Sequence, residues 1–424
     1  MGILRRVLLA KHYMGRTRPQ TNPKSALFLA CPHDPTTARA MTTTRRAFLT
    51  TSTAFAAAAC TTVDQPVIAP PIAPTLPGAP LDLSPTRLMR MTVCLRPFRP
   101  AGPRIEAEAF GDKTVIHNYG HGGSGWSLSW ACADEAAFLA RQTGARDFAV
   151  IGAGVIGLTT ALRLAETGAS VTIYAKDLPS ETRSARATGV WSPSSRIALR
   201  SSAPQGFVRK WEAWARKSYF THQHYVGSLG QPVEYQPSYS LSGGNSGPYV
   251  REQRDFMHLG RRLNDIMPGE TALPASVHNF PVTSASKGLD MVFNVAAYTE
   301  RLVRDFFAFG GRMERRSFGD RAAALSLDQK VILNCTGYGA KALWGADDLV
   351  PVRGQINWMP PQPEARYGLF YGSVYVLSRS DGVVVQDIGP NDDFGYGIED
   401  ETPDRAEMRR ALETVAPLFD GWRV

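Results

Sequence analysis

Phe148-Ala-Val-Ile-Gly-Ala-Gly-Val-Ile-Gly-Leu-Thr-Thr-Ala-Leu-Arg-Leu-Ala-Glu-Thr-Gly-Ala-Ser-Val-Thr-Ile-Tyr174 decides the fold of this 424-residue chain. Residues 148–151 are continuously apolar, the pattern of a strand buried on both faces. A glycine turn follows, then a helix with Leu158, Ala161, Leu162 and Ala165 on one side, then Gly168 and a second apolar strand over 171–174. Such a strand–turn–helix–strand unit is an α/β dinucleotide-binding motif. Its glycines permit a tight turn, close approach of a pyrophosphate, and close helix–strand packing, while the helix N-terminus faces the negative charge. Gly152, Gly154, Val155, Ile156 and Gly157 are therefore candidate cofactor contacts. The acid expected after the second strand, to bind a ribose hydroxyl, is missing. Lys176 occupies or adjoins that place in Tyr174-Ala-Lys-Asp177, and Asp177 is either a ribose contact or a surface charge. A plain NAD reading is weakened accordingly.

Outward from this motif the chain is uneven. Nine Lys and Arg and a single acid, Asp34, fall in residues 1–60, so +8 of the +9 net charge sits there and +1 is spread over the rest. Nucleic-acid binding by the body therefore has little support. Thr44-Arg-Arg-Ala-Phe-Leu49 is a twin-arginine pattern, and the apolar run ending at Cys60 is too short to span a bilayer. Residues 41–60 read as an export signal starting at Met41, with 1–40 a non-native upstream extension and Cys60 a candidate lipid-attachment cysteine. That reading implies a periplasmic or membrane-anchored protein. Residues 61–80, with six prolines, read as an extended linker. Cys94, Cys132 and Cys335 show no metal-ligand spacing, and the latter two read as core residues. Oligomeric state is not encoded in any pattern found here.

A second glycine turn, Val115-Ile-His-Asn-Tyr-Gly-His-Gly-Gly-Ser-Gly-Trp-Ser127, precedes the first. It resembles the stretch that closes the chain of D-amino-acid oxidases, so the protein resembles a circularly permuted member of that family. The resemblance extends over about residues 90–424. It implies an α/β fold: a Rossmann-like FAD-binding domain (110–200 and 286–345) with a mixed-sheet substrate domain (81–109, 201–285 and 346–424). It further implies that Gly122, Gly123, Ser124, Gly125, Trp126 and Ser127 form a floor beneath the flavin, with Gly123 offering its carbonyl to the substrate amine. Ser127 stands where the family usually has threonine. Ser184 in Ser184-Ala-Arg-Ala-Thr-Gly-Val-Trp191 would contact phosphate, the Gly189–Val190 backbone would face the flavin's reactive edge, and Gly337 in Val331-Ile-Leu-Asn-Cys-Thr-Gly337 would approach FAD a second time. His117 and His121 are read as structural, since this chemistry needs no histidine.

For the substrate, Arg96 in Cys94-Leu-Arg-Pro-Phe98 matches the family's carboxylate-binding arginine, a residue whose planar fork suits a carboxylate. In Tyr371-Gly-Ser-Val-Tyr375, Tyr375 matches the tyrosine that also grips the carboxylate, and Tyr371 the one lining the pocket near the amine. Four residues apart on one strand, the two rings would share a face. The activity implied is oxidation of a D-amino acid by hydride transfer to flavin N5, with dioxygen as acceptor, giving a 2-oxo acid, ammonia and hydrogen peroxide. The segments 204–247 and 360–370 match the family poorly and leave the side chain accepted unspecified. Two other classes fit the same residues: a glycine or N-methyl amino-acid oxidase or an FAD-dependent dehydrogenase, and a non-catalytic envelope binding lipoprotein.

Permutation carries its own geometric expectations. A helix started by Thr402 and Pro403 should bring Val424 near residues 83–91, and 141–146 should be a short connector between the two glycine turns.

Overall fold

The computed structural model describes residues 76–243 and 250–422, which lie within one compact unit, Ala69–Val424. The twin-arginine pattern, Cys60 and residues 61–75 fall outside the described residues, as does Val424. In chain order, β1 (Arg90–Phe98), β2 (Arg104–Phe110), β3 (Lys113–Tyr119), α1 (Gly125–Gln142), β4 (Asp147–Ile151), α2 (Val155–Ala165) and β5 (Ser170–Ala175) come first. Next are α3 (Phe207–Gln223), β6 (Val233–Ser242), β7 (Thr271–Leu273), β8 (Ser284–Phe293), α4 (Val295–Ala308), β9 (Arg312–Arg315) and α5 (Arg321–Leu325). The remainder is β10 (Val331–Asn334), α6 (Ala340–Trp344), β11 (Val350–Met359), β12 (Gly368–Tyr371), β13 (Val374–Arg379), β14 (Gly382–Asp387) and α7 (Arg405–Val415).

Two sheets result. The six-stranded sheet runs β2-β3-β10-β4-β5-β9, all parallel except the antiparallel edge strand β2. Its inner strands are buried on both faces, which is why β4 and β10 read as unbroken apolar runs. Side chains of α1, α2 and α4 fill one face, and those of α5 and α6 the other. The eight-stranded sheet runs β1-β11-β14-β13-β12-β6-β8-β7 and is mixed, because β12 pairs parallel with β6 while its other pairs are antiparallel. One face (Leu369, Tyr371, Val376, Val383, Val385) packs on Met408, Ala411, Leu412 and Val415 of α7. The other carries Val292, Ile356, Trp358, Leu377 and Val384. Alternation along each strand assigns the faces.

The α/β architecture is as expected, with differences at its boundaries. β2 belongs to the parallel sheet although 104–109 were expected with the substrate domain, and β8 belongs to the mixed sheet although 286–293 were expected with the FAD domain. In both cases long-range pairing decides membership, which local sequence does not carry. Residues 76–80 are docked rather than tethering: the Leu76 N–H donates to the Val277 carbonyl at 2.8 Å, and the Tyr367 hydroxyl to that of Ala79 at 3.0 Å. Asp404, not Thr402, caps α7, accepting from the Ala406 N–H at 2.7 Å. Leu418, Phe419 and Trp422 belong to the same apolar cluster as Leu81, Leu83, Leu88 and Met91, and both Phe419 and Trp422 pack edge-on against Phe280. α1 passes to β4 through residues 143–146 alone.

Candidate active site

β4 ends at Ile151, and Gly152 turns the chain with φ +112° while its N–H donates to the Tyr174 carbonyl at 2.8 Å. A Cβ on Gly152 would lie 2.4 Å from the Cys335 carbonyl oxygen, one on Gly157 1.9 Å from that of Gly152, and one on Gly154 2.9 Å from Ser184 Oγ. At Gly152 and Gly157 the clash is with fixed backbone, so these two positions admit only glycine, whereas at Gly154 it is with a serine hydroxyl. α2 starts at Val155, whose N–H donates to Ser184 Oγ at 3.0 Å. Gly152, Gly154, Val155, Ile156 and Ser184 line a cavity of about 690 Å³, together with Lys176 and Asp177 at the end of β5 and Gly337 after β10. Gly157 is set behind it as a packing residue.

The cavity continues over the second glycine turn. Gly122 has φ +56°, donates its N–H to the Pro97 carbonyl at 2.8 Å, and has no room for a Cβ, which would sit 2.0 Å from the Arg196 carbonyl oxygen. Gly122, Gly123, Gly125 and Trp126 line the cavity, as do Gly189 and Val190 opposite them. Ser124 and Ser127 were expected to face the cofactor and do not line the cavity. The Ser124 hydroxyl donates to the Ser192 and Ser195 carbonyls at 3.2 and 3.0 Å, and Ser127 Oγ accepts from the Ser192 N–H at 2.8 Å. Their hydroxyls fasten the 192–195 loop to the start of α1, leaving the backbone of the turn to line the cavity.

At the far end the mixed sheet forms the wall. Arg96 on β1 pairs with Val352, and Tyr375 on β13 with Gln386; Arg96, Gly354, Ile356, Gln386 and Tyr375 all line the cavity. Arg96 Nη1 donates to the Arg353 carbonyl at 3.2 Å, and its guanidinium lies on Gly354, where a Cβ would come within 2.6 Å. Among the described residues Arg96 forms no ion pair; the nearby Asp392 is taken by Arg196 at 3.2 Å. Burial, reinforced by the Arg196 charge, pushes Arg96 down to about 10, leaving it a cation at neutral pH.

A scan of protein-family models matches residues 147–423 to one described as DAO, FAD dependent oxidoreductase. The chain belongs to this family. The D-amino-acid oxidase of Dictyostelium discoideum is 26% identical over 277 residues, 64% of this chain and 73% of its own length. That of Streptomyces coelicolor is 31% identical over 207 residues, 49% of this chain and 57% of its own. The glycine oxidase of Geobacillus kaustophilus aligns over 64% of this chain and 77% of its own, at 17% identity with a TM-score of 0.45.

FAD is the cofactor that membership implies, and the residues fit it. The glycine turn is closed to side chains from three sides, α2 points its N-terminus into the same cavity, and that cavity runs unbroken from the turn to Arg96. Two residues expected in this family's substrate site sit differently. Tyr371 ends β12 and Tyr375 is the second residue of β13, the two strands being separated only by Gly372 and Ser373. Tyr371 pairs with Val374 and Tyr375 with Phe370, so the rings fall on opposite faces. Tyr371 is buried against α7's cluster, its hydroxyl donating to the Gly243 carbonyl at 2.9 Å, and it does not line the cavity. The hydroxyl of Tyr375 donates to Asp290 Oδ2 at 2.7 Å, so its one proton is not free for a substrate carboxylate while Asp290 is ionised.

Asp290, Gln386 and Arg316 line the cavity without having been singled out in the sequence; β8, β14 and the turn after β9 deliver them from far along the chain. His117 is structural as expected: Nε2 meets Glu108 Oε2 and Nδ1 meets the Asn334 side-chain amide, each at 3.0 Å, and burial pushes it down to about 4. His121, pushed down to about 3 by burial, lines the cavity as a neutral ring.

Proposed function

We propose that this protein is a D-amino-acid oxidase whose chain is circularly permuted. The observation that carries the substrate class is Arg96, a cation on the cavity wall with no carboxylate of the protein paired to it among the described residues. A charge held away from bulk water without a partner is costly, and a substrate carboxylate offsets that cost through two parallel, charge-assisted hydrogen bonds. When bound, FAD supplies the hydride acceptor for a substrate Cα–H bond. Arg96 fixes the carboxylate, Gly354 leaves the guanidinium its room, and Gly122 and Gly123 keep side chains out of the space beneath the substrate. Trp126, Val190 and Ile356 give the same space an apolar wall. Holding the carboxylate and excluding water orients one Cα–H bond and keeps the product imine from early hydrolysis.

The permutation rests on two supports. The family match begins at residue 147, yet β1, β3 and α1, all before it, supply Arg96 and the 122–126 turn. The last described turn also shares one apolar cluster with Leu83, Leu88 and Met91 at the entry to β1, as it would if the two were continuous in an unpermuted chain. Export by the twin-arginine route to the periplasm or the envelope follows from residues 44–49. Among the described residues no helix is long and apolar enough to cross a membrane.

Turnover with D- and L-alanine, D-aspartate and sarcosine, under dioxygen and with an artificial electron acceptor, tests the reading. Peroxide from a D-amino acid alone supports it. Preference for sarcosine or glycine, or activity with the artificial acceptor only, replaces it by the corresponding oxidase or dehydrogenase.

A further inference from the structure

The strand registers of the mixed sheet fix where the Arg96 guanidinium sits relative to other polar groups of the cavity wall. It stands over Gly354 of β11, where a Cβ would lie 2.6 Å from both of its Nη atoms. The tyrosine expected to grip the same carboxylate is remote from that seat. The Tyr375 hydroxyl donates to Asp290 Oδ2 and stands over Gly368 of β12, 2.9 Å from where a Cβ would be. Gly368 pairs with Leu377, Leu377 with Val384, and Val384 with Trp358, so it lies three strands across and four residues along from Gly354. At about 4.8 Å per strand and about 3.4 Å per residue, the two seats are about 19 Å apart. No single carboxylate reaches both.

Gln386 of β14 is closer. It follows Val385, which pairs with Asn357, so it stands beside Ile356, one strand across and two residues along from Gly354. The same spacings put it about 8 Å from the Arg96 seat. Two hydrogen bonds of about 2.8 Å with a carboxylate between them cover a comparable distance. Val384 shares the cavity-side cluster of Ile356, and Gln386, two residues on, projects from the same face and lines the cavity. Gln386 is 2% exposed, and its Oε1 accepts from the Thr188 hydroxyl at 2.5 Å, a spacing nearer to O–H···O than to N–H···O contacts. With the oxygen so held, the amide nitrogen has no partner among the described residues and keeps both hydrogens for the cavity. Ile356 beside it and Ile388 two residues on also line the cavity and offer no hydrogen bond. A buried amide whose donor half is unmet calls for an acceptor.

We propose that the Gln386 side-chain amide, held by Thr188, is the second anchor of the substrate α-carboxylate, donating to the carboxylate that Arg96 holds, in the place expected of Tyr375. A carboxylate has lone pairs enough for the Arg96 fork and a third donor. This assignment rests on the D-amino-acid oxidase reading for the identity of the substrate, while carboxylate binding itself is measurable without turnover.

The test uses the full, flavin-loaded protein. Calorimetric titration with butanoate and with butanamide, its neutral counterpart, reads carboxylate binding with no α-amine to oxidise. The parent should bind butanoate at least about tenfold tighter than butanamide. Gln386→Met keeps the shape of the side chain without its donor and should weaken butanoate at least about tenfold, the loss of one hydrogen bond to a charged group. Gln386→Glu sets a like charge against the ligand and should weaken it further, whereas Tyr375→Phe should leave it within about threefold. In turnover, Gln386→Met should raise KM for D-alanine at least about tenfold with kcat nearly unchanged. The flavin absorbance and thermal melt of each variant show that it is folded and loaded, and Gln386→Glu carries the test if the methionine variant is not. Unchanged butanoate affinity in either folded Gln386 variant, a larger loss in Tyr375→Phe, or a parent that binds butanamide as tightly as butanoate would overturn the proposal. Weakened butanoate with no D-amino acid oxidised by the parent would leave the anchor standing and remove the oxidase reading. Oxidation of D-alanine by Gln386→Met at the parent's KM would do the reverse.

Discussion

Replacing Arg96 by methionine should separate function from folding in a single variant. In the free protein its guanidinium makes one hydrogen bond, 3.2 Å to the Arg353 carbonyl, and no ion pair among the described residues. Methionine keeps most of the apolar stem and removes a charge that burial disfavours. Thermal stability should therefore be unchanged or rise, by up to about 1 kcal/mol. Binding should move the other way. Two charge-assisted hydrogen bonds to a carboxylate, at about 1.5–3 kcal/mol each, are lost together. That loss of about 3–6 kcal/mol corresponds to roughly a 10²- to 10⁴-fold fall in kcat/KM for a D-amino acid. Arg96→Lys keeps the charge without the fork and should fall between. The assay pairs steady-state peroxide release with a thermal melt and the flavin absorbance of the same preparation. A variant that keeps kcat/KM within a few-fold of the parent, or that melts well below it, would refute the assignment of Arg96 as carboxylate anchor.

Other perturbations read other parts of the structure. Gly157→Ala places a Cβ 1.9 Å from the Gly152 carbonyl oxygen, so the purified variant should be colourless or destabilised by several kcal/mol, read from flavin absorbance and a urea melt. Acid should weaken the fold through His121 and His222, both pushed down to about 3 by burial. Since the folded state holds them neutral, the unfolded chain takes up protons first as pH drops below about 6.5. Stability then falls by up to about 1.4 kcal/mol per pH unit for each, down to about pH 3. Urea melts near pH 7 and pH 5 check this, and His222→Gln should remove about a third of the slope, because His117, pushed down to about 4 by burial, contributes over the same range as His121. A re-threaded chain that opens between 143 and 146, and joins residue 422 to residue 76 by a short linker, should fold with its flavin spectrum unchanged and its melting temperature within a few degrees.

What the sequence disclosed, and what it hid, follows from the range of the interactions involved. The β4–turn–α2–β5 unit was legible because each part is local: an apolar run, three glycines at fixed offsets, and one helical face. The 122–126 turn was legible for the same reason, although the partners of Ser124 and Ser127 were not, since residues 192–195 that hold them lie far along the chain. Tyr371 and Tyr375 show how a sound periodicity fails. Four residues apart share a face only within one strand, and the two-residue turn at Gly372 and Ser373 reverses the second ring. Asp290 was invisible in the sequence because its meaning depends on β8 facing the same cavity as β13, a neighbourhood set by the order of the eight-stranded sheet. The edges of the two domains were misplaced at β2 and β8 on the same ground.

The measurement that bears most directly on the central claim is the visible absorbance spectrum of the purified protein, recorded before and after anaerobic addition of single D- and L-amino acids. The account predicts flavin bands that bleach with one or more D-amino acids and stay unchanged with the L-forms. Flavin bands that no D-amino acid bleaches would contradict the proposed reaction, and a colourless folded protein would contradict the assembly of the site itself.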